Sequence, residues 1–354
     1  MAFLSLSLLG GFHVERDGTP ITAFESNKVR ALLAYLAVEA DRPHQRSALA
    51  GLLWPDHAEE AARTNLRHVL RQLRLSIDDG SAPALLLANQ QTIQLDPAGA
   101  YTVDVTRFTG LLAECERCPH SSLESCAACI ERYTQAAALY RGPFLAGLDI
   151  PDSEIFDEWV VMQREQLHRQ ALEACYTLAS YHEERGDHEQ ARQYAWRQIE
   201  LEPWREEAYR QLMRALALSG QRSAALAQFR RCRDVLAEEL GVDPDPETVA
   251  LYEQIRDGAL APAARPQRAA DRPAGPPPAP AVRGSLQDWG EAPITSYFFG
   301  RQTELATLST WALEEGIRVI AVFSIGGMGK TTLVTKAART LAEQFDAVFW
   351  RSLL

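Results

Sequence analysis

The stretch Ala61–Ile77, AARTNLRHVLRQLRLSI, decides how the first third of this chain is read. At about 100° per residue, Leu66, Val69, Leu70, Leu73 and Ile77 share one stripe, the mark of a helix with a buried face. Arg63, Arg67, Arg71 and Arg74 form a second stripe beside it. Thr64, His68 and Gln72 fill the outer face, and no acidic residue interrupts the run. Glu59 and Glu60 stand just before it, in the first turn of a helix expected over 58–77, where carboxylates favour the dipole. Such a helix suits the major groove of DNA. Arginine pairs with phosphates or guanine edges, while Thr and Gln read base edges. The plainer alternative is a solvated basic face on a small helical domain.

The flanking sequence favours the groove. Leu4, Leu6 and Leu8 alternate as a strand. A helix from about Asn27 places Val29, Leu32, Leu33 and Leu36 on one stripe and breaks at Arg42-Pro43. A short helix carries Leu49, Leu52 and Leu53 before Trp54-Pro55-Asp56. After the basic helix, Ala84 to Leu95 alternates around Asn89-Gln90 as a hairpin, which would be a wing. Strands, three helices with the basic one last, and a hairpin make a winged helix-turn-helix over residues 1–97.

Residues 98–257 read as almost entirely helical. Gly186 and Gly220 lie 34 residues apart, as do Ala191 and Ala225, and Leu178 and Leu212. A 34-residue helix-turn-helix period is the tetratricopeptide spacing. Two units are few, so neighbouring helices must cap them. Residues 258–292, rich in Pro and Ala, read as a disordered linker. Residues 293–354 resume strand and helix patterns. The fold class is therefore multidomain: α+β winged helix, all-α repeats, then a partial α/β segment.

The net charge of −11 argues against indiscriminate coating of nucleic acid but leaves one basic face free to bind it. No apolar run of 18 residues exists, so no membrane span is expected, and the N-terminus lacks the basic flank of a signal peptide. A cytoplasmic location is expected. Four of the six cysteines cluster as Cys115-x-x-Cys118 and Cys126-x-x-Cys129, with His120 between. In a cytoplasmic chain, two such pairs point to a structural Zn²⁺ before a disulfide. His120 is an alternative ligand, most plausibly in place of Cys118. The bland alternative is four small, partly buried cysteines at helix ends. Cys175 and Cys232 sit in helical patterns and are expected in the core.

Ile317–Phe323 reads as a strand, followed by Ser324-Ile-Gly-Gly-Met-Gly-Lys330-Thr331-Thr332 and an amphipathic helix. This is nearly GxxxxGK[ST] in its strand–loop–helix setting, with Ser324 replacing the first glycine. Backbone N–H groups around Gly326, Gly327 and Gly329 would cradle phosphates of ATP or ADP. Lys330 would reach the β/γ-phosphates, Thr331 would hold Mg²⁺, and Thr332 follows in the helix. Asp346–Leu354 reads as the next strand. No Walker B strand follows within the chain. The segment is therefore expected to be a truncated P-loop domain, and hydrolysis by this chain is not expected.

Residues 1–97 resemble the winged-helix output domain of response regulators, in the version that heads the antibiotic regulatory protein (SARP) family. The phrases are NKVRALLAYLAVEADRPHQRSALAGLLWPD (27–56) and ARTNLRHVLRQLR (62–74). Residues 98–257 resemble the bacterial transcriptional activator domain of the same family, through LYRGPFLAGL (139–148), FDEWVVMQRE (156–165) and ELGVDPDPETVALYEQI (239–255). Phe299-Gly300-Arg301-x-x-Glu304-Leu305 and the glycine loop resemble the start of STAND or NB-ARC ATPases. The resemblance implies a transcriptional activator whose helix 58–77 recognises double-stranded promoter DNA. Its helical unit would serve self-association or RNA polymerase contact. No receiver domain precedes the winged helix, so control is expected from elsewhere in the chain. The competing expectation is a nucleotide-dependent STAND-type signalling scaffold whose N-terminal unit binds protein.

Overall fold

The computed structural model describes residues 3–77, 85–119, 126–260, 286–289, 302–313, 330–345 and 347–350. The chain divides into two units, Met1–Ala263 and Ala264–Leu354.

The first unit opens with β1 (Leu4–Ser7), β2 (His13–Arg16) and β3 (Thr19–Pro20). Then come α1 (Asn27–Val38), β4 (His44–Gln45), α2 (Arg46–Leu53) and α3 (Glu59–Ile77). β5 (Leu86–Ala88), β6 (Thr92–Leu95) and β7 (Tyr101–Val103) follow. Asp17 and Gly18 both take positive φ between β2 and β3. That is the two-residue turn whose twist matches paired strands.

The first sheet has the order β3-β2-β1-β7, and β7 runs parallel to β1 with Leu6 opposite Val103. Its last strand thus lies in the region read from sequence as helical, because a strand of three residues leaves too little alternation to detect. A second sheet, β4-β6-β5, carries the hairpin. Leu87 faces Gln94 and Ala88 faces Ile93 across it. Asn89 Oδ1 accepts the N–H groups of Gln91 and Thr92, both at 2.8 Å, so the side chain itself builds the turn.

Helices then take over: α4 (Asp104–Glu116), α5 (Ala127–Leu139), α6 (Glu154–Glu184), α7 (His188–Leu201), α8 (Glu206–Leu218), α9 (Arg222–Glu239) and α10 (Pro246–Asp257). Gly186 and Gly220 take positive φ at the turns of α6–α7 and α8–α9. A 34-residue spacing thus marks two helix-pair corners. α10 is framed by Asp245 capping Glu247 N–H, Pro246 in its first turn and left-handed Gly258 after it.

Two apolar cores occupy this unit. One runs from Leu4 to Ala174 and joins both sheets, α1 to α3 and the first helices of the helical region. The other runs from Ala179 to Ile255. α6, with 31 residues, contributes to both cores. At 1.5 Å per residue it is about 46 Å long.

The second unit holds β8 (Leu286–Asp288), α11 (Gln302–Leu313), α12 (Lys330–Leu341), a 3₁₀ turn (Ala342–Gln344) and β9 (Ala347–Phe349). β8 pairs parallel with β9, Leu286 opposite Ala347. This corrects the reading of 258–292 as linker throughout. Leu286-Gln287-Asp288 is a strand because a distant partner supplies its ladder, which composition does not reveal. Residues 261–285 and the expected strand 317–323 lie outside the described residues. No helix among the described residues is long and apolar enough to cross a membrane.

Candidate nucleic-acid interface and cysteine cluster

α3 is built as its periodicity requires. Leu66, Val69, Leu70, Leu73 and Ile77 are buried, and Ile77 and Leu73 have no exposure. Burying a side chain of this size contributes roughly 1.5–3 kcal/mol, enough to hold the helix in place. Arg63, Thr64, Arg67, His68, Arg71 and Arg74 are all exposed. The structure therefore brings the six expected residues onto the open side of one anchored helix.

Their partners differ. Arg63 pairs with Glu59 at 2.7 Å, one turn back. An exposed pair of this kind contributes only a few tenths of a kcal/mol and opens readily. His68 Nε2 lies 3.5 Å from a Glu25 oxygen. The Thr64 hydroxyl donates to the Glu60 carbonyl at 2.9 Å, so its proton is engaged. Arg67, Arg71 and Arg74 have no hydrogen-bonding or acidic partner among the described residues.

A residue that sequence reasoning missed joins them. Arg46, the first residue of α2, lines a cleft with Arg67, Leu70, Arg71, Arg74 and Leu75. Its Nε donates to the Asn89 carbonyl at 2.8 Å, and its backbone N–H to the Gln91 carbonyl at 2.9 Å. Burial lowers its pKa, and the like charges of Arg74 and Arg67 lower it further. Four guanidiniums thus converge between α2, α3 and the hairpin turn. An anion in the cleft would relieve their mutual repulsion.

The helical region grips this unit through polar contacts. Asp104, buried at the start of α4, accepts the N–H groups of Leu8 and Leu9 and pairs with Arg141 at 3.0 Å. The Leu145 N–H donates to the Leu8 carbonyl at 2.9 Å, and the Gly10 N–H to the Pro143 carbonyl at 3.1 Å. The Ser153 hydroxyl donates to the Leu52 carbonyl of α2 at 2.9 Å.

The cysteines gather where α4 ends and α5 begins. The thiols of Cys118, Cys126 and Cys129 lie within 4.8 Å of one another, and Cys118 Sγ and Cys126 Sγ are 3.8 Å apart. The Cys115 thiol donates to the Cys129 carbonyl at 3.7 Å. Backbone N–H of Cys129, at the α5 N-terminus, holds the Cys126 thiol below its ordinary pKa. Burial pushes Cys129 up to about 11. All six cysteines are free thiols. Cys175 and Cys232 are buried, Cys232 within the second core. His120 lies outside the described residues.

Of the phosphate loop, Gly326, Gly327 and Gly329 also lie outside the described residues. Lys330 opens α12, with Thr331 exposed and Thr332 half-buried in its first turn. No nucleotide site is formed among the described residues.

Against this geometry, residues 103–256, the helical region from β7 to α10, match the family described as the bacterial transcriptional activator domain. The matched helical region sits behind an α/β region with two sheets, and the same arrangement recurs in a solved homologue. That structure, Mycobacterium tuberculosis EmbR in complex with a low-affinity phosphopeptide, matches with a TM-score of 0.54 and 26% identity over 74% of this chain and 67% of that one. In sequence, the transcriptional regulatory protein EmbR of Mycobacterium tuberculosis is 30% identical over 262 residues, 71% of this chain. The regulatory protein AfsR of Streptomyces coelicolor is 29% identical over 357 residues, 97% of this chain. The chain spans 63% of EmbR and 33% of AfsR. The resemblance to the antibiotic regulatory protein family rests on this domain and these homologues.

Proposed function

We propose that this chain is a sequence-specific DNA-binding transcriptional activator of the antibiotic regulatory protein type, acting in the cytoplasm. α3 enters the major groove, and Arg67, Arg71 and Arg74 meet phosphates or guanine edges. Arg46 and the β5–β6 turn grip the flanking backbone. The bacterial transcriptional activator domain presents helices for self-association or for RNA polymerase. One observation carries the reading: four arginines converge beside an anchored helix with no acidic partner among the described residues.

The P-loop reading is part of the proposal. α12 begins at Lys330, where a phosphate-binding helix should start, and β9 falls where the next strand was expected. In a complete domain of the STAND type, Mg²⁺ with ATP or ADP would bind there, and its state would gate assembly. No hydrolysis is assigned to this chain.

The test begins with selection of bound duplex from a random pool by the full chain. Binding to the selected site is then measured across a salt series for wild type and Arg67→Ala/Arg71→Ala. The double variant should bind at least tenfold more weakly. Its log–log salt slope should shrink by about 1.8, two phosphate contacts at about 0.9 each. A wild-type chain with no duplex affinity at low salt would overturn the proposal. So would binding unaltered in the variant, which would favour a protein-binding N-terminal unit.

A further inference from the structure

We infer that Cys115, Cys118, Cys126 and Cys129 form a structural zinc site that ties the end of α4 to the start of α5. Each CxxC pair places two thiols on one side of a single turn. Cys115 lies in the last turn of α4 and Cys118 just past it. Cys126 caps α5 and Cys129 lies in its first turn. Three of these sulfurs, of Cys118, Cys126 and Cys129, gather within 4.8 Å of one another, and the fourth, Cys115, stands beside them against the Cys129 carbonyl.

The distances favour a metal over other uses of sulfur. A tetrahedral zinc with Zn–S of roughly 2.3 Å requires neighbouring sulfurs roughly 3.8 Å apart. Cys118 and Cys126 stand at 3.8 Å, and Cys129 lies within 4.8 Å of both. Cys115 and Cys129 are buried, so half of the set is already shielded from water. The Cys115 thiol rests against the Cys129 carbonyl, a weak contact at 3.7 Å that a small rotation exchanges for the metal. Cys175 and Cys232, buried without thiol neighbours, show what a core cysteine looks like in this chain.

Binding is acid–base chemistry without electron transfer. Each thiol loses its proton as Zn²⁺ arrives, four protons leave, and four Zn–S bonds form. The resulting charge of −2 sits against the N-terminus of α5, whose dipole favours it. All four positions are filled by protein, so the metal has no open site and no catalytic role. The site fixes one end of α4, while Asp104 at the other end holds β1.

The experiment uses the full chain, without a histidine tag and purified without chelator. Elemental analysis should find about one zinc per chain. Cys126→Ser and Cys129→Ser should lose it, whereas Cys175→Ser and Cys232→Ser should keep it. Should the Ser variants fold poorly, the wild type is stripped, reduced and titrated with Co²⁺. The intense visible absorption of tetrahedral cobalt–thiolate should appear at one equivalent and vanish on adding zinc. His120→Ala should retain the spectrum, and Cys115→Ser should weaken its thiolate charge-transfer band. Absence of zinc together with absence of the cobalt spectrum would overturn the site. Metal lost in His120→Ala but kept in Cys115→Ser would overturn the four-thiolate assignment.

Discussion

Asp104 holds the backbone N–H of Leu8 with both carboxylate oxygens, at 2.8 and 2.9 Å, across 96 residues of chain. It also accepts from Leu9 N–H at 3.0 Å, and Arg141 of the LYRGPFLAGL phrase closes on it. One carboxylate therefore joins the end of β1, the start of α4 and the segment after α5. Asp104→Ala leaves two buried N–H groups without an acceptor, each costing about 1–3 kcal/mol. The variant should lose about 3 kcal/mol. The urea midpoint should fall with little change in slope, because the surface exposed on unfolding is the same. A loss below about 1 kcal/mol would mean that water replaces the carboxylate and that this joint is not tight.

Arg46 predicts a separable effect on DNA. Its side chain is fixed by Asn89, and its charge faces Arg67 and Arg74. Arg46→Ala should reduce the salt slope of binding by about 0.9, one phosphate contact, and weaken all duplex sequences alike. Arg46→Lys should restore the slope but not the full affinity, because an ammonium cannot reproduce the guanidinium fork. Arg233→Ala, a change at an exposed arginine paired with Asp234 in the helical region, serves as the control and should leave the slope unchanged. An equal drop for Arg233→Ala would reduce the effect to net charge.

What was legible in the sequence was what repeats locally. The 3.6-residue stripe of Leu66 to Ile77 predicts α3 and its exposed arginines together, because one rotation per residue fixes both faces. The 34-residue spacing of Gly186 and Gly220 marks helix-pair corners for the same reason. Arg46 was illegible because its role depends on the Asn89 carbonyl, 43 residues away. β7 and β8 were illegible because each is three residues long and owes its existence to a distant strand. Asp104 looks from sequence like an ordinary acidic first-turn residue. Only its burial against Leu8 and Leu9 reveals the clamp.

A buried amide pair joins α6, α7 and α8. Gln211 of α8 is buried, donating to Ser180 Oγ at 2.8 Å and to the Tyr176 carbonyl at 3.1 Å while accepting from Gln198 Nε2 at 2.8 Å. Gln211→Leu leaves Gln198 Nε2 with only its long 3.4 Å bond to the Tyr194 carbonyl and should cost about 1–3 kcal/mol. Adding Gln198→Leu removes the under-satisfied amide, so the double variant should regain part of that loss. The signature is a coupling energy of at least about 0.5 kcal/mol in a double-mutant cycle of urea midpoints. Strictly additive losses would show that the two amides act independently.

The last prediction concerns α6, which contributes to both cores. The first core ends at Ala174 and the second begins at Ala179, and α6 runs unbroken across this gap, alongside a second link in which Arg197 of α7 donates to the Tyr140 carbonyl at 3.0 Å. Thr177 lies in this gap and is half-buried. Thr177→Pro removes one helical hydrogen bond and clashes with the carbonyl four residues back, at a cost of about 3 kcal/mol. If the continuous helix transmits cooperativity, the wild type should unfold in one transition and the variant in two. Near-ultraviolet and far-ultraviolet signals, which coincide in a single cooperative unfolding, should then separate. α3 lies with the first core, so any DNA affinity of Thr177→Pro should persist through the first transition if the second core melts before the first. Coincident transitions in the variant would mean that side-chain contacts, not the helix, couple the cores.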